Sequence, residues 1–267
     1  IVAYILITRE GKKQGLPKEF ISDLIFYTLI IGILGARVYY CVFNLDYYLA
    51  NPSEILKIYN GGLAIHGGVI AGFIFVYFYT KKKNVSFIKI LDIVAPAVII
   101  AQSFGRWGNF FNQEAHGGIT TYQNLKNMHI PEFIINGMHI EGKYYYPTFF
   151  FESILCLIGF IILMFVRRNK NLRKGFQIGF YFIWYGIGRF FIEALRTDSL
   201  MFFGLKIAQI VSLIGIIIGI IIIVTNKNKK LEEEIIEKDK GLEFLNGRIE
   251  GMEYVIEHLN LKIGEEN

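Results

Sequence analysis

A chain of 267 residues that is 53% hydrophobic, with 24 Phe and 16 Tyr, does not read as a soluble domain, because its apolar residues gather in runs of about twenty. The net charge of +5 does not point to nucleic acid either, since the lysines and arginines fall in short tracts between those runs. Cys41 and Cys156 both lie in apolar runs without His or Cys at metal-ligand spacing, so structural thiols are expected, with neither a metal nor an organic cofactor.

The chain opens at Ile1 inside an apolar stretch, with no initiator Met and no visible secretory signal peptide, so residues 1–8 are read as the end of a truncated first span. Further spans are predicted at about 20–43, 61–80, 87–104, 148–166 and 175–195, with a last one running through Val224. Four positive charges lie between Arg9 and Lys18. Lys81-Lys82-Lys83 follow the third span, Arg167, Arg168, Lys170, Arg173 and Lys174 the fifth, and Lys227, Lys229 and Lys230 the last. Every second loop is therefore basic, whereas 44–60 carries only Lys57 as a cation and 105–146 few basic residues. The expectation is an all-α polytopic membrane protein of about seven transmembrane helices, with its N-terminus outside and its C-terminus cytoplasmic. Its membrane domain covers 1–225, including an extracytoplasmic loop at about 105–146.

The tail, 226–267, is charged and of different character. Leu242, Leu245, Ile249, Met252, Ile256, Leu259 and Ile263 recur at spacings of three and four, the pattern of a coiled-coil seam. Lys238 interrupts the seam upstream, and Gly241, Gly247 and Gly251 each weaken a helix by ~1 kcal/mol. The tail is either a frayed amphipathic end or a coil that joins copies into a homo-oligomer.

The stretch with most chemistry is Gly105-Arg106-Trp107-Gly108-Asn109-Phe110-Phe111-Asn112-Gln113-Glu114-Ala115-His116-Gly117. Polar side chains this dense at the edge of hydrocarbon are costly unless they serve a purpose. Arg106, Asn109 and Asn112 share one face if the segment is helical, and a guanidinium beside two carboxamides suits a phosphate. Glycines at 105, 108 and 117 let backbone approach a ligand. The stretch is a candidate phospholipid site, against the plainer reading of a polar loop capping a helix. His66, in Ile65-His66-Gly67-Gly68, stands at the end of a span and is suited to accept a proton. Tyr185, Arg189, Glu193 and Arg196 recur at four, four and three, and Glu193 can neutralise only one of the two arginines, which leaves positive charge for a lipid phosphate. Arg37 and Glu152 line the same cavity or support it. Asp92 and Gln102 read as interhelical hydrogen-bonding groups.

The stretch Gly105-Arg106-x-Gly108-Asn109-Phe110-x-Asn112-x-Glu114-x-x-Gly117 resembles the signature of prolipoprotein diacylglyceryl transferases, bacterial enzymes that lipidate lipoprotein precursors. The segment at 65–68 is similar to that family's histidine-glycine-glycine motif, Tyr185-Gly186-x-Gly188-Arg189-Phe190-x-x-Glu193-x-x-Arg196 to its late arginine motif, and Gly35-Ala36-Arg37 to its early one. The resemblance covers about 1–225. It implies transfer of a diacylglyceryl group from phosphatidylglycerol to the lipobox cysteine of a prolipoprotein signal peptide, within the bacterial cytoplasmic membrane. A thioether forms and glycerol phosphate leaves. His66, Arg189 and Tyr185 are then the catalytic residues, with His66 taking the thiol proton. Arg106, Asn109, Asn112, Glu114 and Gly117 bind phosphatidylglycerol, supported by Arg37, Glu152, Glu193 and Arg196. The sequence begins after the position of the family's early tyrosine-glycine element, it departs from the family in lacking the proline before Asp198, and the tail lies beyond the family core. Rival readings are an anionic-lipid transporter, which would carry internal symmetry and polar groups at mid-bilayer, and another lipid-modifying enzyme, which would need further nucleophiles beside His66.

Overall fold

The computed structural model describes residues 1–169, 172–197, 201–202, 204–226, 238–239, 241–243 and 245–254. Lys170, Asp198, Lys227, Lys229 and Lys230, and the seam residues Ile256, Leu259 and Ile263, lie outside the described residues.

The apolar runs form long helices: α1 (Val2–Lys13), α2 (Lys18–Phe43), α4 (Ile65–Lys82), α5 (Phe87–Phe111), α8 (Thr148–Val166), α9 (Phe176–Leu195) and α10 (Ile207–Thr225). A short helix α3 (Leu45–Ala50) follows α2. Of the described helices, α2, α5, α8, α9 and α10 are long and apolar enough to cross a membrane. α1 has 12 residues, and α4 includes His66, Lys81 and Lys82 within its 18. The surfaces of α2, α4 and α10 expose large apolar side chains such as Phe26, Leu29, Ile33, Val69, Ile70, Ile214, Ile217 and Ile221. In water such a surface would be an aggregation hazard, whereas hydrocarbon is its natural surrounding.

Two helix pairs are drawn together by small residues. On α2 and α4, Gly35 lies against the backbone of Gly67, and Gly32 against that of Gly68, so the glycines beside His66 serve as a packing surface. On α9 and α10, a Cβ at Gly179 would stand 2.8 Å from the Gly219 carbonyl oxygen. Between these pairs, α5, α8 and α9 enclose Ile99, Cys156 and Leu163, which have no exposed surface. One end of this three-helix core is closed by a polar clasp. The Asp92 carboxylate on α5 accepts from the backbone N–H groups of Gly175 (2.7 Å) and Ile178 (3.0 Å), capping α9 from a neighbouring helix. Arg167 at the end of α8 donates to the carbonyls of Asp92 and Ile93 and to Gln177. Asp92 therefore does pair between helices, with backbone as its partner.

The all-α expectation needs correction between α5 and α8. The loop foreseen from 105 begins later, because α5 runs through the polar motif to Phe111. Beyond it lie α6 (Tyr122–Asn127), α7 (Glu132–Gly137) and an antiparallel sheet of β1 (Ile119–Thr120), β2 (His139–Ile140) and β3 (Lys143–Tyr145), in the order β1-β3-β2. Glu141 (φ 49°) and Gly142 (φ 76°) form the two-residue turn between β2 and β3, and positive φ at both matches strand twist. Leu125, Ile134, Ile135 and Met138 bury against Phe149 and Trp107, fastening this cap to α5 and α8. A second small pair, β4 (Met201–Phe202) and β5 (Leu205–Lys206), leads into α10. Four residues of the tail seam, Leu242, Leu245, Ile249 and Met252, fall on described helical residues and are exposed.

Candidate functional site

Arg106 lies fourteen positions beyond Asp92 on α5, about 21 Å along the axis, so the polar motif occupies the end of the core opposite the clasp. Here α5, α8 and α9 each contribute charge. Glu152 is the single acid of α8 and is 2% exposed. A carboxylate held in apolar surroundings needs a cation, and α8 offers none within its span, so the partners come from the neighbouring helices. Arg106 Nη2 lies 2.6 Å from Glu152 Oε1, and Arg189 Nη1 3.2 Å from Oε2. The Tyr185 hydroxyl donates to Glu152 Oε1 at 3.0 Å and accepts from Arg106 Nη2 at 3.2 Å. One turn further along α9, Glu193 pairs with Arg189 Nη2. Two arginines from different helices thus share one carboxylate, with a second carboxylate behind one of them.

The glycines of the late motif explain how α9 comes this close. A Cβ at Gly188 would sit 2.5 Å from the Leu155 side chain of α8, and one at Gly186 would sit 2.9 Å from the Ser212 carbonyl oxygen of α10. Tyr185 and Arg189 reach Glu152 because the residues between them carry no side chain on the contacting faces. On the other side of Glu152, Ser103 and Ser153 exchange hydrogen bonds with each other's carbonyls, and the Trp107 indole N–H donates to the Ser153 hydroxyl at 3.2 Å. These contacts fix α5 to α8 on both sides of Arg106 in the sequence, at Ser103 and at Trp107.

Asn109 and Asn112 extend the network outwards. Arg106 Nη1 approaches Asn109 Oδ1 at 3.5 Å, and Asn109 and Asn112 both donate to Glu114 Oε1, at 3.1 and 3.3 Å. Glu114 is held between Gln113 (φ 53°) and Ala115 (φ 57°), two non-glycine residues in the left-handed region, where backbone strain is characteristic of sites under functional constraint. Glu114 thus accepts from both asparagines at the outer end of the network. Gly117 makes a close approach within the chain itself: it bridges Arg196, and a Cβ there would stand 2.8 Å from that of Tyr146. Gly105 and Gly108 have open space beside them, next to exposed Phe104 and Phe111, and leave the outer face of α5 accessible.

The sequence-predicted residues separate into groups. Arg106, Asn109, Asn112, Glu114, Glu152, Tyr185, Arg189 and Glu193 form one connected network. Arg196 leaves the α9 stripe, because the helix ends at Leu195 and Arg196 is extended (φ −81°, ψ 143°). His66 sits in the first turn of α4, exposed, with its ring 6.4 Å from that of Tyr39. Among the described residues no hydrogen bond or ion pair joins His66 to the network. Arg37 is elsewhere as well. Its Nε donates to Ile55 O, Nη1 to Gly61 O and Gly62 O, and Nη2 to Glu54 O and Lys57 O. It shares a cavity of about 460 Å³ with Tyr40, Asn44, Tyr48 and Asn60. Beside this cavity Lys57 holds the Glu54 carboxyl below the ordinary carboxylate range by a hydrogen bond.

The supporting place expected for Glu152 agrees with its position between two arginines, whereas the Ser103–Ser153–Trp107 fastening was not foreseen. The signal for Glu152 was present: a single acid in an otherwise uncharged span must find its cation on another helix.

Comparison with known proteins adds an independent line. The family model described as prolipoprotein diacylglyceryl transferase matches residues 1–225. A phosphatidylglycerol–prolipoprotein diacylglyceryl transferase of Lysinibacillus sphaericus is 50% identical over 223 residues, 82% of this chain and 81% of its own. Proteins of the same name from Bacillus cereus, 50% identical over 83% of this chain and 82% of theirs, and from Staphylococcus haemolyticus, 50% identical over 86% and 81%, are similarly close.

Proposed function

The chain belongs to the prolipoprotein diacylglyceryl transferase family, and on that premise we propose that it is a transferase moving the diacylglyceryl group of phosphatidylglycerol to the lipobox cysteine of a prolipoprotein. The observation that supports a phosphate-handling site most directly is the sharing of Glu152 by Arg106 and Arg189. Each guanidinium has five N–H donors, and among the described residues the carboxylates, Tyr185 and Asn109 engage only part of that set, which leaves donors for a second anion.

In the reaction the cysteine sulfur attacks the glycerol carbon that carries the phosphate. An S–C bond forms, the C–O bond breaks, and the electron pair leaves with glycerol phosphate. Negative charge grows on the phosphate oxygens as the bond breaks, and preorganised guanidinium groups favour that state over the ground state. Arg106 and Arg189 hold the phosphate, the Tyr185 hydroxyl steadies the pair by donating to Glu152 and accepting from Arg106, and Asn109 and Asn112, oriented by Glu114, complete the cradle. Glu152 and Glu193 fix the direction of the two arginines. An unperturbed thiol has a pKa of about 8.5 and needs a base near neutral pH. His66, exposed at the head of α4, takes that proton. The open face beside Gly105 and Gly108 receives the lipid.

The same reading completes the topology. α4 joins the five longer helices as a span and residues 1–8 of α1 form the end of another, giving seven, with the N-terminus outside and the network at the extracytoplasmic surface of the bacterial cytoplasmic membrane. Glycine packing of α4 on α2 and the lysines closing α4 support this arrangement. The test is incubation of the protein with phosphatidylglycerol and a lipobox peptide, followed by mass spectrometry. The reading expects a gain of one diacylglyceryl group, lost when the peptide cysteine is serine. No gain from folded protein would leave the arginines as anion ligands of a binding protein.

A further inference from the structure

The tail stands outside the matched 1–225 and apart from the charge network, so its role is separate from the transfer reaction. Residues 241–243 and 245–254 are helical, and their apolar side chains Leu242, Leu245, Ile249 and Met252 are 48–59% exposed. A short helix containing Gly241, Gly247 and Gly251, with its apolar stripe in water, has little to hold it in isolation. Its sequence specifies what covers the stripe. In heptad register, Leu242 and Ile249 occupy a, and Leu245 and Met252 occupy d. The sequence continues the register with Ile256 and Ile263 at a and Leu259 at d. Isoleucine concentrated at a with leucine at d is the combination that favours two parallel strands. Gly247 falls at f and Gly251 at c, both away from the seam.

The flanking charges agree. In a parallel pair the g residue of one strand faces the e residue of the next heptad on its partner. Here g is Arg248 and the matching e is Glu253, opposite in sign. An antiparallel pair would not bring these positions together. A membrane surface is the other plausible cover for an apolar stripe, but helices of that kind carry a basic polar face, and 241–254 contains Glu243, Glu250 and Glu253 against Arg248 alone. Two copies in one bilayer with a common orientation also extend their tails from the same side and in the same direction, as a parallel pair requires, at high effective concentration.

We propose that the C-terminal helix pairs with the same helix of a second copy as a parallel two-stranded coiled coil, making this chain a dimer joined outside its membrane domain. Full-length Met252→Cys and Gly247→Cys proteins, each in liposomes under mild oxidation, provide the test, with the parent chain and its Cys41 and Cys156 as background. The d-position variant is expected to yield a disulfide-linked dimer at least severalfold above background, and the f-position variant to stay at background. Absence of the Met252→Cys dimer, as for a tail lying on lipid, or equal cross-linking at both positions, would overturn the pairing. Adding Arg248→Glu to the Met252→Cys protein is expected to reduce cross-linking severalfold, and a further Glu253→Arg to restore it. No reduction, or no recovery, would overturn the parallel register.

Discussion

Among the described residues, a buried arginine and a half-buried pair differ in what the guanidinium binds. Arg37, 6% exposed, has all five donors directed at backbone carbonyls of the segment between α3 and α4. Carbonyls fixed in a loop do not exchange, so this arginine is committed to shaping the chain before His66. Arg106 and Arg189 instead share a side-chain carboxylate and keep donors in reserve. The same residue type is a fastener where its partners are neutral backbone; under the proposed function it is an anion receptor where its partners are side chains and contacts among the described residues leave donors over. A buried arginine is therefore assigned by counting its occupied N–H groups.

Breaking the receptor side of this comparison should have the larger effects. Under the proposed function Arg189→Ala removes a phosphate ligand, and it leaves Glu152 and Glu193 short of a cation; transfer is expected to fall by about 10³-fold in the peptide assay. Glu152→Gln keeps the shape of the site while removing the charge that aligns both arginines. A fall of about 10- to 100-fold in transfer is expected, with a lower melting temperature, because two partly buried cations lose their shared counterion. On the fastener side, Arg37→Lys retains the charge but offers three donors in place of five. It should destabilise the 54–62 segment by about 2 kcal/mol, seen as faster amide hydrogen exchange there. Glu54→Gln sharpens the contrast at the small end. Arg37 binds the Glu54 carbonyl and not its carboxylate, so this change is expected to alter transfer by less than about twofold, losing only a half-exposed pairing with Lys57.

How far this was legible in the sequence depended on the range of the forces involved. Spans were readable because long apolar runs end at charges or at proline: α8 begins at Thr148 after Pro147 and ends at Val166 before Arg167, the limits read from sequence. The end of α5 was misread, since the turn of density from apolar to polar at Gly105 resembles a helix end, while Trp107, Phe110 and Ser103 anchor those turns to α8 and to the cap above it. The hairpin at 139–145 depends on two residues with positive φ and escaped attention in a polar stretch. Within the site, spacing placed Tyr185, Arg189 and Glu193 on one face, and the motif grouped Arg106 with both asparagines. The meeting of these groups on Glu152 follows from α8 and α9 approaching at Gly188, a tertiary fact with no local periodicity. Arg196 was placed on the α9 stripe by spacing alone, but the helix ends one residue too early to carry it there.

The central claim is that Arg106 and Arg189 around Glu152 hold the phosphate of the lipid donor. The most direct test is the transfer rate of full-length Arg106→Ala protein, shown by its melting curve to be folded, with phosphatidylglycerol and a lipobox peptide. The account predicts loss of transfer by about 10³-fold or more, equivalent to about 4 kcal/mol of transition-state stabilisation. A folded Arg106→Ala protein that transfers at close to the parent rate would contradict it.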